Sequence, residues 1–170
     1  TIADRMKKMG YLTGFSGKWH LGPSNSSNPK HDPRARGFDY YWVGSMESGS
    51  TNLSLDGKAV EHQSRKGLPA GVANRVILQG KYGESFIDFS QAGDKPFFLY
   101  LPLYAPHIPL IKKSDPYYKK FPKLDYPHYD DWRDDRRRMG LALIKSIDDA
   151  VGGVMTKLRE HGLEENTMVL

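Results

Sequence analysis

The run "KPFFLYLPLYAPHIPL", Lys95 to Leu110, constrains this chain more than any other stretch. Phe97 to Leu101 are apolar or aromatic without interruption, leaving no position for solvent. A strand covered on both faces, as in a parallel sheet, reads this way. Pro102, Pro106 and Pro109 then end regular structure, because each lacks a backbone donor and holds φ fixed. Parallel strands need crossover helices. The rest of the chain is therefore expected to alternate strand and helix.

It does so in outline. "IADRMKKMG" reads as the end of an amphipathic helix, with Ile2, Met6 and Met9 at helical spacing, Gly10 as its stop and no N-cap in view. "YLTGFSGKWHLG" reads as an extended segment broken by glycines, and Pro23 to Arg36 as polar, Pro-rich loop. "GFDYYWVG" reads as a strand, and Asp56-Gly57 as the turn of a small hairpin. Ser45 to Ser50 reads as a flexible rim loop without a phosphate-cradle pattern. A helix is expected over Tyr82 to Ala92, and a long Pro- and Tyr-rich excursion from Asp115 to Asp131. From Asp131 to His161, Met139, Leu143, Ile147, Val151, Val154, Met155 and Leu158 fall on one helical face, closed by Gly162. "NTMVL" begins another apolar run, expected as a strand.

The expected fold is α/β and layered, with a mostly parallel sheet flanked by helices. Both ends fall inside elements. Residues 1–170 are therefore expected to be an interior segment of one larger domain, truncated at both ends, with exposed sheet edges that offer self-association.

Composition excludes several classes. With 38% hydrophobic and 26% charged residues, the chain is neither disordered nor collagen-like. No apolar run approaches the roughly 18 residues that span a bilayer. The net charge of +5 suits an anionic substrate, but the basic residues are scattered and form no nucleic-acid module. "RDDRRR" at Arg133 to Arg138 reads as a solvated face. Cysteine is absent, which removes disulfides, thiolate metal sites and a cysteine nucleophile.

Two places could carry chemistry. In "GKWHL", an extended backbone would put Lys18 and His20 on one face and Trp19, packed into the core, on the other. Gly17 and Gly22 would let a ligand or another backbone come close. A fixed cation beside a titratable imidazole suits an oxyanion such as sulfate or phosphate. The second place is His107, which follows the buried strand, where ligands sit in open α/β sheets. Its flanking prolines restrict the backbone, so the imidazole could protonate a leaving group. His31, His62, His128 and His161 read as structural or solvent-facing, and Asp148-Asp149 as locally paired. No H-E-x-x-H, C-x-x-C, G-x-S-x-G or P-loop pattern occurs.

Four blocks in order resemble the sulfatase family of the alkaline-phosphatase-like superfamily. These are "GYLTGFSGKWHLG", "RGFDYYWVG", "KPFFLYLPLYAPHIPL" and "IKSIDDAVGGVMTKLREHGLEENTMVL". The resemblance implies that Lys18 contacts a sulfate oxygen and the nucleophile, and that His20 holds and helps deprotonate a formylglycine hydrate. It implies that His107 binds the ester and acts as general acid. It also implies a sulfate-ester substrate, a sulfated glycan among the candidates, and a periplasmic or extracellular setting.

Two departures accompany it. The family makes its formylglycine nucleophile from Cys or Ser in C/S-x-P-S-R, upstream of the Lys-x-His block. Here the Ser-x-Pro triplets at Ser27 and Ser114 lie downstream, and neither continues as Ser-Arg. The family's calcium-binding acidic residues have no counterpart either. Formylglycine and calcium are therefore expected outside these residues, which contribute the Lys/His wall and are inactive alone. Phosphodiester or phosphonate monoester hydrolysis, and non-catalytic binding of a sulfated ligand, are the alternative readings. The excursion from Asp115 to Tyr129, with Tyr117 and Tyr118, is a candidate sugar-binding rim.

Overall fold

A computed structural model describes residues 1–21, 29–44, 48–125 and 130–170. Gly22, Ser27, His128 and the first part of the Ser45–Ser50 stretch lie outside them.

In the described residues five strands form one sheet: β1 (Leu12–Gly17), β2 (Tyr40–Gly44), β3 (Ser48–Leu53), β4 (Ala59–Lys66) and β5 (Phe97–Tyr100), in the order β4-β3-β2-β1-β5. The sheet is mixed. β1 runs parallel to β2 and to β5, whereas β2–β3 and β3–β4 are antiparallel. The expected hairpin is β3–β4, closed where Ser54 Oγ accepts from Lys58 N and donates to Asp56. Among the described residues four helices accompany the sheet: α1 (Ile2–Lys8), α2 (Arg75–Ser90), the short α3 (Pro116–Lys119) and α4 (Asp131–Glu160).

α2 packs across β1. A Cβ on Gly14 would lie 2.6 Å from the Phe86 ring, so the glycine makes room for the aromatic. The helix starts seven residues before the expected Tyr82. Asn74 caps it, accepting from Val76 N and Ile77 N. Gly80 and Gly83, poor helix residues by propensity, are where α4 comes close. A Cβ on Gly80 would lie 2.8 Å from Ala150 Cβ. Asn74 Nδ2 also donates to Ser146 Oγ at 2.9 Å, binding the two helices in the core.

α4 matches its expected span and ends at His161, with Gly162 at φ 65°. Ala142, Leu143, Ser146, Ala150 and Leu158 are buried on it, whereas Val151 of the expected stripe is exposed. In α1 the expected stripe is likewise displaced. Ala3 is fully buried among Phe15, Phe38, Tyr41 and Val43, while Ile2 and Met9 face outward. Thr1 supplies the cap that the sequence reading lacked, accepting from Asp4 N. β5 is half-buried, with Tyr100 exposed, because β1 is its one strand partner among the described residues. Met168, Val169 and Leu170 form no strand there; a 3-10 turn over Glu164–Asn166 precedes them.

"RGFD" has a structural explanation. Gly37 ends a 3-10 turn at φ 92°, where an added Cβ would press on Asp4. Phe38 packs on Phe15 and Trp19. Asp39 accepts from Lys7 Nζ at 2.5 Å and Thr13 N at 3.1 Å, joining α1, β1 and β2. The basic run at Arg133 to Arg138 is more than a solvated face. Asp134 is buried and paired with Arg137, and Arg138 donates to the Phe121 carbonyl.

Candidate active site

Adjacent parallel strands deliver their carboxyl ends to the same edge of a sheet. β1 and β5 therefore release their following loops side by side, one carrying Lys18 and His20, the other His107. The loops are tied at their roots. Lys18 N donates to Pro102 O at 2.9 Å. That approach requires Gly17, because an added Cβ would overlap the Pro102 carbonyl.

β1 ends at Gly17, so Lys18 and His20 lie beyond the strand that was expected to align them. Trp19 anchors this stretch as expected. Its ring meets Phe15 edge-on at 5.2 Å, and Nε1 donates to His31 O at 2.8 Å. Lys18 is half-buried, with Nζ 5.0 Å from the centroid of the Tyr104 ring, a cation–π contact. His20 is exposed on the same loop.

Tyr104 is held at both ends. Its N–H donates to Gln79 Oε1 at 3.0 Å, and its hydroxyl donates to Ile108 O at 2.9 Å. The His107 ring stands across Tyr104 at 5.4 Å and 67°. His107 Nδ1 lies 2.6 Å from the same Ile108 carbonyl. A carbonyl only accepts, so Nδ1 carries a proton in this bond, and Nε2 is the atom left for exchange with a ligand. Tyr104 thus contacts both the cation of one loop and the imidazole of the other. Both the Ala105–Pro106 and Ile108–Pro109 bonds of the second loop are cis.

Gln79 secures this arrangement from below. It is fully buried on α2. Its backbone carbonyl accepts from Ser16 Oγ at 2.7 Å while its side chain holds Tyr104. One residue therefore fixes both β1 and the loop after β5. Neither Gln79 nor Tyr104 was chosen from the sequence. Tyr104 lies in the proline-bounded run that carries His107, but Gln79 has no local signal.

The remaining candidates are structural. His31 Nδ1 lies 3.2 Å from Leu21 O, and His161 Nε2 lies 2.8 Å from Asp88 Oδ1. His62 sits on β4, 2.5 Å from the Tyr41 hydroxyl. Asp148 and Asp149 pair with Lys145 as expected. Of the candidate rim residues Tyr118 is withdrawn from solvent, whereas Tyr117 is half-buried. Tyr118 is buried and donates to Asp135, and Tyr117 donates to Asp149 at 2.7 Å. Burial, with that hydrogen bond to Asp149, pushes the Tyr117 phenol up to about 12.

The described residues fit neither a calcium site nor a formylglycine precursor. Among them no group of three His, Cys, Asp or Glu side chains could hold a metal ion. Ser114 leads into the Asp115 cap of α3 and continues as Pro-Tyr-Tyr. No described helix is long and apolar enough to cross a membrane.

Known proteins resemble this chain in sequence and fold. The chain is 29% identical over 181 residues to N-acetylgalactosamine-6-sulfatase of Canis lupus familiaris, covering 99% of this chain and 31% of that protein. It is 26% identical to arylsulfatase G of Mus musculus over 198 residues, covering 99% of this chain and 34% of that protein. It thus spans about a third of the relatives' length. The crystal structure of Ps i-CgsB in complex with k-i-k-neocarrahexaose superposes with a TM-score of 0.67 at 23% identity, over 95% of this chain and 37% of that one. A structure of a protein in complex with its substrate D-glucosamine-2-N,6-O-disulfate superposes at 0.57 and 16% identity, over 98% and 48%. These two likenesses establish the α/β fold. The sulfatase family model matches residues 1–170, and by that match over every residue the chain belongs to the sulfatase family.

Proposed function

We propose that residues 1–170 form an interior segment of one catalytic domain in a longer sulfuric ester hydrolase, and that they supply the cationic wall of its active site. The observation that carries this reading is Tyr104, flanked by Lys18 and His107 on loops leaving adjacent parallel strands. Lys18 offers its ammonium to a sulfuryl oxygen. His20, exposed on the same loop, serves the nucleophile side. His107, as imidazolium, keeps Nδ1–H on Ile108 O and presents Nε2–H to the leaving oxygen. As the ester S–O bond breaks, that proton passes to the oxygen and leaves a neutral alcohol. The nucleophile and any calcium come from residues outside this chain.

Sulfated saccharides are the proposed substrate class. Support comes from the saccharides named with two fold neighbours and from the positive charge of the chain.

The test uses the full-length protein with 4-nitrophenyl sulfate and bis(4-nitrophenyl) phosphate in parallel. Sulfate-ester turnover is expected to exceed phosphodiester turnover. Lys18→Ala and His107→Ala are each expected to lower kcat/KM for the sulfate by about 100-fold or more. Undiminished turnover in both variants would sink the assignment, and preferred phosphodiester turnover would replace the substrate class.

A further inference from the structure

Directly after His107, the chain forms one wall of a second, open groove of about 570 Å³. Ile108 and Lys112 stand on this wall, and Trp132 and Arg136 on the facing turns of α4. Two large apolar side chains are left to solvent here, Trp132 at 63% and Ile108 at 61% exposure. The Arg136 guanidinium lies 5.1 Å from the centroid of the Trp132 ring, one helical turn away. The groove's carboxylate, Asp135, is already engaged by Lys113 and the Tyr118 hydroxyl. Lys112 and Arg136 have no carboxylate partner among the described residues.

An exposed indole face with unpaired cations beside it matches a specific ligand chemistry. The flat apolar faces of sugar rings stack on an indole. Sulfate or carboxylate substituents need cations, and a guanidinium takes a planar pair of oxygens. The groove also continues from the proposed site. Pro109 and Ile111 line it and also line a small cavity shared with His107.

We infer that this groove is a subsite for the neighbouring, anionic sugar units of an oligosaccharide whose sulfate ester is held at Lys18 and His107. The inference rests on the sulfate-ester reading above. Trp132 supplies the stacking platform, and Arg136 and Lys112 hold the substituents. The groove gives the enzyme preference for a chain over a small ester.

The experiment compares kcat/KM of the full-length protein for a heparin-derived hexasaccharide and for 4-nitrophenyl sulfate, in wild type, Trp132→Ala and Arg136→Ala. The ratio of the two constants is expected to fall about tenfold in each variant. A partly unfolded preparation lowers both rates together, so the ratio is insensitive to poor folding. An unchanged ratio in both variants overturns the subsite while leaving the sulfate-ester assignment standing. If wild type turns over neither compound, the assignment fails, and equilibrium dialysis of the hexasaccharide judges the groove separately. Weaker binding in Trp132→Ala then supports it, and equal binding in all three proteins overturns it.

Discussion

Tyr104 and His107 share one acceptor: the phenol and the Nδ1–H both reach the carbonyl oxygen of Ile108, at 2.9 and 2.6 Å. Two lone pairs serve two donors, so the imidazole and the phenol ring are aimed by the same atom. Removing the phenol oxygen should loosen that aim without removing any group that meets substrate. Tyr104→Phe keeps the ring beneath Lys18 and is expected to lower kcat by about 3- to 10-fold with little change in KM. Tyr104→Leu also removes the cation–π contact, worth about 0.5–1 kcal/mol, and is expected to raise KM as well. Steady-state kinetics of the two variants separate the effects. Equal loss in both would mean that the ring does nothing beyond its hydroxyl.

If His107 protonates the leaving oxygen, its importance depends on how badly that oxygen needs a proton. 4-Nitrophenolate leaves readily, whereas a sugar alkoxide does not. His107→Ala is therefore expected to cost at least about tenfold more with an alkyl or sugar sulfate than with 4-nitrophenyl sulfate. Lys18→Ala, acting on the sulfuryl group, should slow both esters by similar factors. A leaving-group series in each variant is the measurement. A flat dependence in His107→Ala would assign that residue to binding alone.

The sequence made the loop residues of this site visible, but not the contacts that unite them. Lys18, Trp19 and His107 stand out because they interrupt glycine- or proline-bounded apolar segments. The hairpin at Asp56-Gly57 and the long helix to His161 were legible for the same reason: turn chemistry and periodicity are local. Gln79 was not, because its role is a long-range contact to Tyr104 across the α2–β5 layer. The first half of α2 was not legible either, because Gly80 is a poor helix residue by propensity and its place there is set by the close approach of Ala150. In α1 the periodic Ile2 and Met9 pointed to the wrong face. The aromatic cluster around Phe15 leaves room for a methyl group, and Ala3 supplies it. Tyr118 looked like part of a rim because composition cannot tell an exposed phenol from a buried one bonded to a helix carboxylate.

Gly17 tests whether the two loops must be joined at their roots. A methyl group at this position would overlap the Pro102 carbonyl, which accepts from Lys18 N. Relief requires the loop after β5 to move away, and His107 moves with it. Gly17→Ala is expected to destabilise the full-length protein by about 1–3 kcal/mol. For a domain larger than these residues that is a shift of roughly a few degrees in Tm. Activity should fall further than stability accounts for, when both are measured at a temperature where the variant remains folded. A destabilised variant with wild-type kcat would show that the loops reach their positions independently.

Asp39 carries a pH dependence whose sign can be worked out. Burial alone would push its carboxyl up, but hydrogen bonds from Lys7 and Thr13 outweigh this and hold it below its ordinary 3.8. The native state therefore binds fewer protons than the unfolded chain near pH 4. The resulting stability is fully present above the unfolded value and is lost as pH falls through the lower native one. Asp39→Asn cannot titrate and breaks the charge-assisted bond from Lys7 at 2.5 Å. It is expected to cost about 1–2 kcal/mol at pH 7, with Lys7's exposure to solvent screening part of the gain. The gap between wild type and variant should narrow as pH drops below about 4, because wild type loses what the variant never had. Urea denaturation of both proteins between pH 7 and 2.5 measures this gap. A constant difference across that range would mean that Asp39 contributes through shape and hydrogen bonding alone, with no contribution from its charge.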